Sequence, residues 1–509
     1  MKKNWIASML LISSLPLFIA GCVRPGEEPT AQPEEKPKTL RVVALGDSMT
    51  NGIQDAGLLR DFQLNSYPYL IAKQMGIEIS FQQPYVESPG IGVLPYKVPL
   101  KLQDGQIVQT LWPKTPTPTE MFDWIFPKLS NVSYPLPYNN LGVNGARLFD
   151  MRKTTTGTTD GNYFFDIVLR NSTPSPLPNF NGKTAVQEAL MLQPDIILLW
   201  IGNNDILGAA LVGCGINGKI DGQDFPYTTT RTPITPYGDF TDEYRRLLSD
   251  LKSGSSAHIV MATIPKYLPF ALALDDIYKP TLVGNRLCLF NPQTFAPIDF
   301  DSSPSELYIP LFLEETTATH LLLTGAIAYL EGKGIYDAAA LDTMGYNSTQ
   351  AALVISTLAD AGITPSSPCA SLTGDFTITP DEETTVIDVI TKYNVILTSL
   401  STEFDVPLVD IVGSWWGDAS TTNPAFGGYS GAHPIQDQDT TTFSLDGVHP
   451  NNLGHALSAN AFIKVLNQEW SLGIPELNPE SFKGQYTGKS ILPGSIKAIE
   501  RVKEMYQSK

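Results

Sequence analysis

Leu40-Arg41-Val42-Val43-Ala44-Leu45 is a strand-like, largely apolar run that stops abruptly at Gly46-Asp47-Ser48. A serine placed where such a strand breaks into a turn can lift its hydroxyl out of the backbone, as a nucleophile needs, provided a base reaches it from elsewhere in the chain. Alone, the tripeptide is equally an ordinary strand-to-helix turn with a serine cap. A candidate base stands far downstream in Asp446-Gly447-Val448-His449-Pro450. His449 is one of five histidines and the only one with a carboxylate three residues before it. An aspartate at that spacing can accept the Nδ1 proton, fix the tautomer and leave Nε2 free to take the serine proton.

Two further segments complete a pattern. Asn140-Leu141-Gly142-Val143-Asn144-Gly145-Ala146 is a glycine-bearing loop before a helical run, where a backbone N–H can approach a substrate with no side chain in the way. The apolar strand Asp195 to Ile201 runs into Gly202-Asn203-Asn204-Asp205, placing the Asn204 amide at a strand's carboxyl end, able to donate to a developing oxyanion. Taken singly, Gly145 reads as a turn glycine and Asn204 as a turn or cap residue.

In this order, Gly46-Asp47-Ser48, Asn140 to Gly145, Gly202-x-Asn204-Asp205 and Asp446-x-x-His449, the chain resembles the SGNH hydrolases, also called GDSL lipases or esterases. The resemblance implies a flavodoxin-like three-layer αβα sandwich with a parallel sheet, Ser48 as nucleophile, His449 as general base and Asp446 as its orienting acid. It implies an oxyanion hole from the backbone N–H groups of Ser48 and Gly145 and the Asn204 side chain, and no metal or organic cofactor. Met49 stands where the family name has leucine, an apolar replacement of similar size. The chain is far longer than the family's core.

Lys2 and Lys3 precede an apolar stretch from Trp5 to Ala20 that closes on Ile19-Ala20-Gly21-Cys22, the pattern of a secretory signal. It resembles a bacterial lipobox, which implies cleavage before Cys22, its lipidation, and a place in the bacterial cell envelope, outside the cytoplasm and anchored at the outer membrane. Several acyl chains, at about 0.8 kcal/mol per buried CH₂, make such anchoring effectively permanent. Residues 22–38 read as a disordered tether rich in Pro and Glu. Cys214, Cys288 and Cys369 then leave an odd number in an oxidising compartment, one disulfide and one free thiol being the simplest count. Their spacing matches no zinc pattern.

Of 509 residues 42% are hydrophobic and 17% charged, with a net charge of -18. An acidic chain without a basic patch repels phosphates, which excludes nucleic acid as partner. Forty glycines and forty prolines indicate long ordered loops. Continuous apolar runs at 40–45, 195–201, 258–264 and 407–412 read as parallel strands buried on both faces. Helical patterns fall at 239–252, 385–404 and 452–470, giving a doubly wound sheet with its site at the strands' carboxyl ends.

The hydrolase domain spans 39–475, with insertions at about 80–135 and 266–380 and a tail at 476–509. The first insertion reads as irregular chain laid against the body. The second carries helical material at 308–313 and 320–330 and reads as a cap near the site mouth or as a satellite subdomain. Its apolar residues serve as an acyl pocket or as its own core. Trp415 and Trp416 line the cleft or pack beneath it, while His258, His320, His433 and His455 take structural or loop roles. The substrate is a small ester: an acyl or lipid ester, or an O-acetylated carbohydrate handled by the same fold. A non-catalytic lipid- or glycan-binding lipoprotein is the reading from another class.

Overall fold

The structure, a computed structural model, describes residues 40–93, 97–103, 106–108, 110, 126–157, 162–211, 234–265, 380–416, 427–431, 434 and 437–489. It also describes residue 348 and short strands at 282–283, 286–290, 309–311, 321–322 and 377–378. The segments read as leader and tether with Cys22, the side chains of Cys214, Cys288 and Cys369, Trp112, His320, His433 and most of 266–380 lie outside the described residues.

Five strands form the central sheet: β1 (Val42–Gly46), β2 (Asn140–Gly142), β3 (Ile196–Trp200), β4 (His258–Ala262) and β5 (Leu408–Val409). Every pairing is parallel and the order is β5-β4-β3-β1-β2. This is the flavodoxin-like arrangement, with helices on both faces. The alternation of strand side chains sorts the core into two halves. Val43, Leu45, Ile197 and Leu199 pack on one face, and Val42, Ala44, Ile196 and Leu198 on the other.

The helices that close those faces carry the expected apolar stripes. After the short α1 (Ser48–Asn51), α2 (Tyr67–Gln74) covers the second face together with α8 (Asn452–Trp470). The first face is covered by α3 (Phe164–Leu169), α4 (Ala185–Met191), α6 (Tyr237–Gly254) and α7 (Pro380–Phe404). α5 (Asn204–Leu211) follows β3 directly. In α6 the residues Phe240, Tyr244, Leu247, Leu248 and Leu251 recur at three- and four-residue spacing and are all buried, as one helical face requires. α4 starts at a capping box, with Thr184 and Gln187 each bonding the other's backbone N–H.

Three differences from the sequence reading have physical causes. Asn140–Gly142, read as a loop, is the edge strand β2, and its three residues are too few for periodicity to register. The helical reading at 308–313 is corrected, since Ile309–Leu311 is a strand paired antiparallel with Arg286–Phe290. Pro310 in its middle lacks the N–H a helix interior needs. Leu321–Leu322 likewise pairs with Thr377–Ile378, because a short apolar run is ambiguous between helix and strand. In addition, the segment read as a tail stays on the body as far as Lys489, with Tyr486 buried.

Glu188 on α4 is fully buried with neither carboxylate oxygen hydrogen-bonded. Burial outweighs the nearby Arg170 charge and pushes it up to about 9. Because the folded value lies above the unfolded one, the stability it contributes is complete below about pH 4.5 and is lost as pH rises through about 9. Glu188→Gln should therefore gain on the wild type by up to about 1.4 kcal/mol per pH unit across that window. Denaturant melts at several pH values check this; parallel curves for the two proteins would sink it.

Candidate active site

The turn after β1 is set by a close approach. A Cβ at Gly46 would lie 2.1 Å from Thr50 Oγ1 and 2.2 Å from the Trp200 carbonyl oxygen, so only glycine fits between β1, α1 and β3. Asp47 then caps α1: Oδ1 accepts the Met49 N–H at 3.0 Å and Oδ2 accepts Asn203 Nδ2 at 2.8 Å. Burial pushes the Asp47 carboxyl up to about 7 against these two donors. Ser48, 1% exposed, is the first residue of α1, a position whose N–H has no acceptor within the helix.

The two neighbouring strands end beside it. Val143 donates its N–H to the Gly46 carbonyl at 3.0 Å, and Ala146 closes a turn onto the Val143 carbonyl at 3.1 Å. Gly145 occupies the third position of that turn with φ 72°, where a type II turn favours glycine. It is partly exposed between buried neighbours, and its N–H donates to no acceptor among the described residues. Asn204 opens α5 after β3 and donates one Nδ2 hydrogen to the Ala146 carbonyl at 2.9 Å, which leaves the second available. Ser48, Gly145 and Asn204 thus stand at the carboxyl ends of three adjacent strands, β1, β2 and β3.

Asp446 and His449 lie in the loop before α8. Asp446 Oδ2 meets His449 Nδ1 at 2.8 Å and accepts the Ala56 N–H at 2.6 Å, while Oδ1 accepts the N–H groups of Val448 and His449 at 2.8 and 2.9 Å. Burial favours the neutral acid, yet the imidazole charge and ring N–H together with the backbone donors overcome it and hold Asp446 down at about 2. His449 Nε2 is buried and makes no hydrogen bond among the described residues. With Nδ1 facing the carboxylate, the neutral ring that carries its proton on Nδ1 leaves Nε2 as the acceptor. The His449 charge is felt at Asp47, beside Ser48. The loop is anchored by Asn451, whose Oδ1 caps α8 at Leu453 and Gly454 and whose Nδ2 donates to the Thr441 carbonyl at 2.7 Å.

Other residues take the roles open to them. Trp415 and Trp416 are buried against Phe443, and Trp416 meets Trp200 edge-on, which makes them core. His455 on α8 is held neutral at about 3, by burial first and by His449 second. The residue the sequence reading passed over is Asn203, whose amide positions the Asp47 carboxylate. Its signal was a second asparagine at the same strand end.

A pocket of about 440 Å³ is lined by Arg147, one residue past Ala146, and by Asp205, one past Asn204, while Ser48, Gly145, Asn204, Asp446 and His449 do not line it. Asp239, Asp242, Glu243 and Arg246 from α6 complete much of its wall. Asp205 is pinned by the Leu148 N–H at 2.9 Å and the Thr235 hydroxyl at 2.6 Å, and burial pushes it up to about 6.

The parallel sheet thus carries a serine turn flanked by two turns with free donors, and the loop before α8 carries a buried Asp–His pair. Residues 338–462 match the family model described as GDSL-like Lipase/Acylhydrolase, and the chain is a hydrolase of ester bonds. The match contains Asp446 and His449. No curated protein matches the chain. Among solved structures, one described as LAE5, an alpha/beta hydrolase enzyme from the metagenome of Lake Arreo, Spain, is similar at 12% identity over 83% of this chain and 93% of that one, with a TM-score of 0.29.

Asn203→Ala removes the side-chain donor from a fully buried carboxylate. It should cost about 1–3 kcal/mol in denaturant unfolding at pH 8, where Asp47 is charged, and less at pH 5, where it is protonated. An equal loss at both pH values would contradict the assigned partner.

Proposed function

We propose that the protein is a serine esterase acting on carboxylic esters through an acyl-enzyme, with Ser48 as nucleophile, His449 as general base and Asp446 as its orienting acid. The observation that carries the reading is the buried Asp446–His449 pair at 2.8 Å, whose Nε2 has no other partner. Ser48 Oγ attacks the ester carbonyl carbon while its proton passes to Nε2. The N–H groups of Ser48 and Gly145 and the free hydrogen of Asn204 Nδ2 receive the oxyanion. Collapse of the tetrahedral intermediate breaks the ester C–O bond, and His449 returns the proton to the leaving alcohol. Water then attacks the acyl-Ser48 carbonyl by the same relay and restores the serine.

For the substrate, we take the pocket lined by Arg147 and Asp205 as the subsite: seven of its twelve lining residues are ionisable, and the half-exposed Phe149 ring stands among them. Such walls suit a polar, hydroxyl-bearing group better than a long acyl chain. This observation favours the carbohydrate O-acetyl ester over the lipid ester. Ser48→Ala should lower kcat on p-nitrophenyl acetate on the order of a millionfold, and Asn204→Ala by about 10²–10³-fold with the fold intact. Activity falling from acetate to palmitate supports the short-acyl reading, and an optimum at palmitate overturns it. Full activity in Ser48→Ala would overturn the serine mechanism itself.

The lipid anchor at Cys22 belongs to the same proposal and is supported by the Ile19-Ala20-Gly21-Cys22 sequence behind an apolar stretch. The full chain expressed in a bacterium should take up radiolabelled palmitate and sediment with membranes. Cys22→Ser should do neither; label retained in that variant would refute the anchor.

A further inference from the structure

We infer that the turn Gln54–Gly57, together with Tyr486, is a positioning device for the acid Asp446, with Asp55 as its central residue. The inference rests on the proposed roles of Asp446 and His449 and adds residues to which those roles assign nothing. Two segments some 390 residues apart in the chain clasp each other reciprocally. Ala56 gives its N–H to Asp446 Oδ2 at 2.6 Å, and Leu445, one residue before Asp446, gives its N–H to Asp55 Oδ1 at 2.9 Å. Between them the Asp55 N–H donates to Ser444 Oγ at 3.0 Å. The Tyr486 hydroxyl donates to the same Asp55 oxygen at 2.6 Å. Asp55, Ala56, Asp446 and Tyr486 are all buried.

The backbone of the turn marks it as more than a connection. Asp55 and Ala56 both adopt left-handed conformations, with φ 51° and 52°, which for alanine is costly and persists only where the surroundings impose it. The surroundings here do so at every backbone group. Gln54 and Gly57 exchange both of their N–H···O bonds, and the Asp55 and Ala56 carbonyls accept from Leu100 and Val93 at 2.6 and 2.8 Å. Gln485 ties Tyr486 to the same place, donating to Gln54 Oε1 at 3.2 Å and accepting the Asn452 N–H at 3.1 Å.

What the turn achieves is specific to one oxygen. Asp446 Oδ2 is shared between the Ala56 N–H and the His449 ring, so the amide fixes where that oxygen sits and therefore the plane in which Nδ1 is held. Asp55 acts through this placement, which makes it a positioning residue. Its loss should lower kcat while leaving substrate binding nearly alone.

The test uses the full chain with Asp55→Asn and, as a milder change of one hydroxyl, Tyr486→Phe, which covers the case of an unfolded Asp55 variant. Protein labelled with ¹⁵N-histidine gives five ring systems in all, and the Nδ1–H signal of His449 is assigned by its loss in His449→Ala. We expect Asp55→Asn to lower kcat about tenfold on p-nitrophenyl acetate with KM within twofold, Tyr486→Phe to lower it less, and both to shift or broaden the Nδ1–H signal. An unchanged kcat with an unmoved signal, whatever the melting temperature, overturns the positioning role and leaves the esterase reading standing. Ester hydrolysis that survives in Ser48→Ala removes the esterase reading, and the NMR signal alone then decides whether the turn holds the Asp–His pair.

Discussion

The site depends on one steric constraint: β1 must turn within a single residue that has no side chain. Gly46 is wedged between the Thr50 side chain and the Trp200 carbonyl, nearer to both than any Cβ could come. That contact brings the end of β1 against the end of β3, and the Val143 bond to the Gly46 carbonyl brings in β2. Three turns then share one corner, each opening with backbone or amide donors that the strands themselves cannot use. The sheet order puts β1 between β3 and β2, so the Ser48 turn has the Asn204 turn on one side and the Gly145 turn on the other.

Electrostatics at this corner are decided by how many donors each buried carboxylate receives. Asp47, Asp55, Asp205 and Asp446 are all removed from water, which by itself favours the neutral acid. The first three are pushed up to about 7, 7 and 6. Asp446 is held at about 2, because an imidazole and three backbone N–H groups converge on its two oxygens. Burial of equal depth thus yields opposite outcomes, and only the carboxylate with the imidazole and a full set of donors remains charged across the pH range in which histidine titrates. An anionic partner for the imidazole is what an imidazolium intermediate needs.

Much of this was legible in the sequence, and the gaps follow a rule. Runs buried on both faces, such as Ile196–Trp200, and long amphipathic patterns, such as α6, announce themselves because burial repeats a simple period. The four motif segments were readable for a similar reason, each being a short local pattern. Asn140–Gly142 was missed as a strand because an edge strand of three residues has no period to show. Leu321–Leu322 was misread because two leucines serve a helix and a strand equally. Asn203 and Asp55 were missed because their importance lies in partners 156 and 390 residues away, Asp47 and Leu445, and a second asparagine at the strand end was the sole local sign of either pairing.

That last case also explains how parts so distant in the chain keep their register. The proposed nucleophile Ser48 and the amide that holds Asp446 at Ala56 belong to one short segment, α1 followed by the Gln54–Gly57 turn. The segment is tightened by Gly52 and Ile53 donating back to the Ser48 carbonyl at 3.1 and 3.2 Å. A small displacement of this segment therefore carries the serine and the carboxylate's anchor together. His449, the proposed base, is linked to Asp446 through both its ring and its own backbone N–H, so it follows the same movement. The distance that matters for proton transfer, from the serine to the imidazole, is thus referred to a local piece of chain rather than to the long path between residues 48 and 449. That arrangement suits a site whose reacting groups tolerate little misplacement.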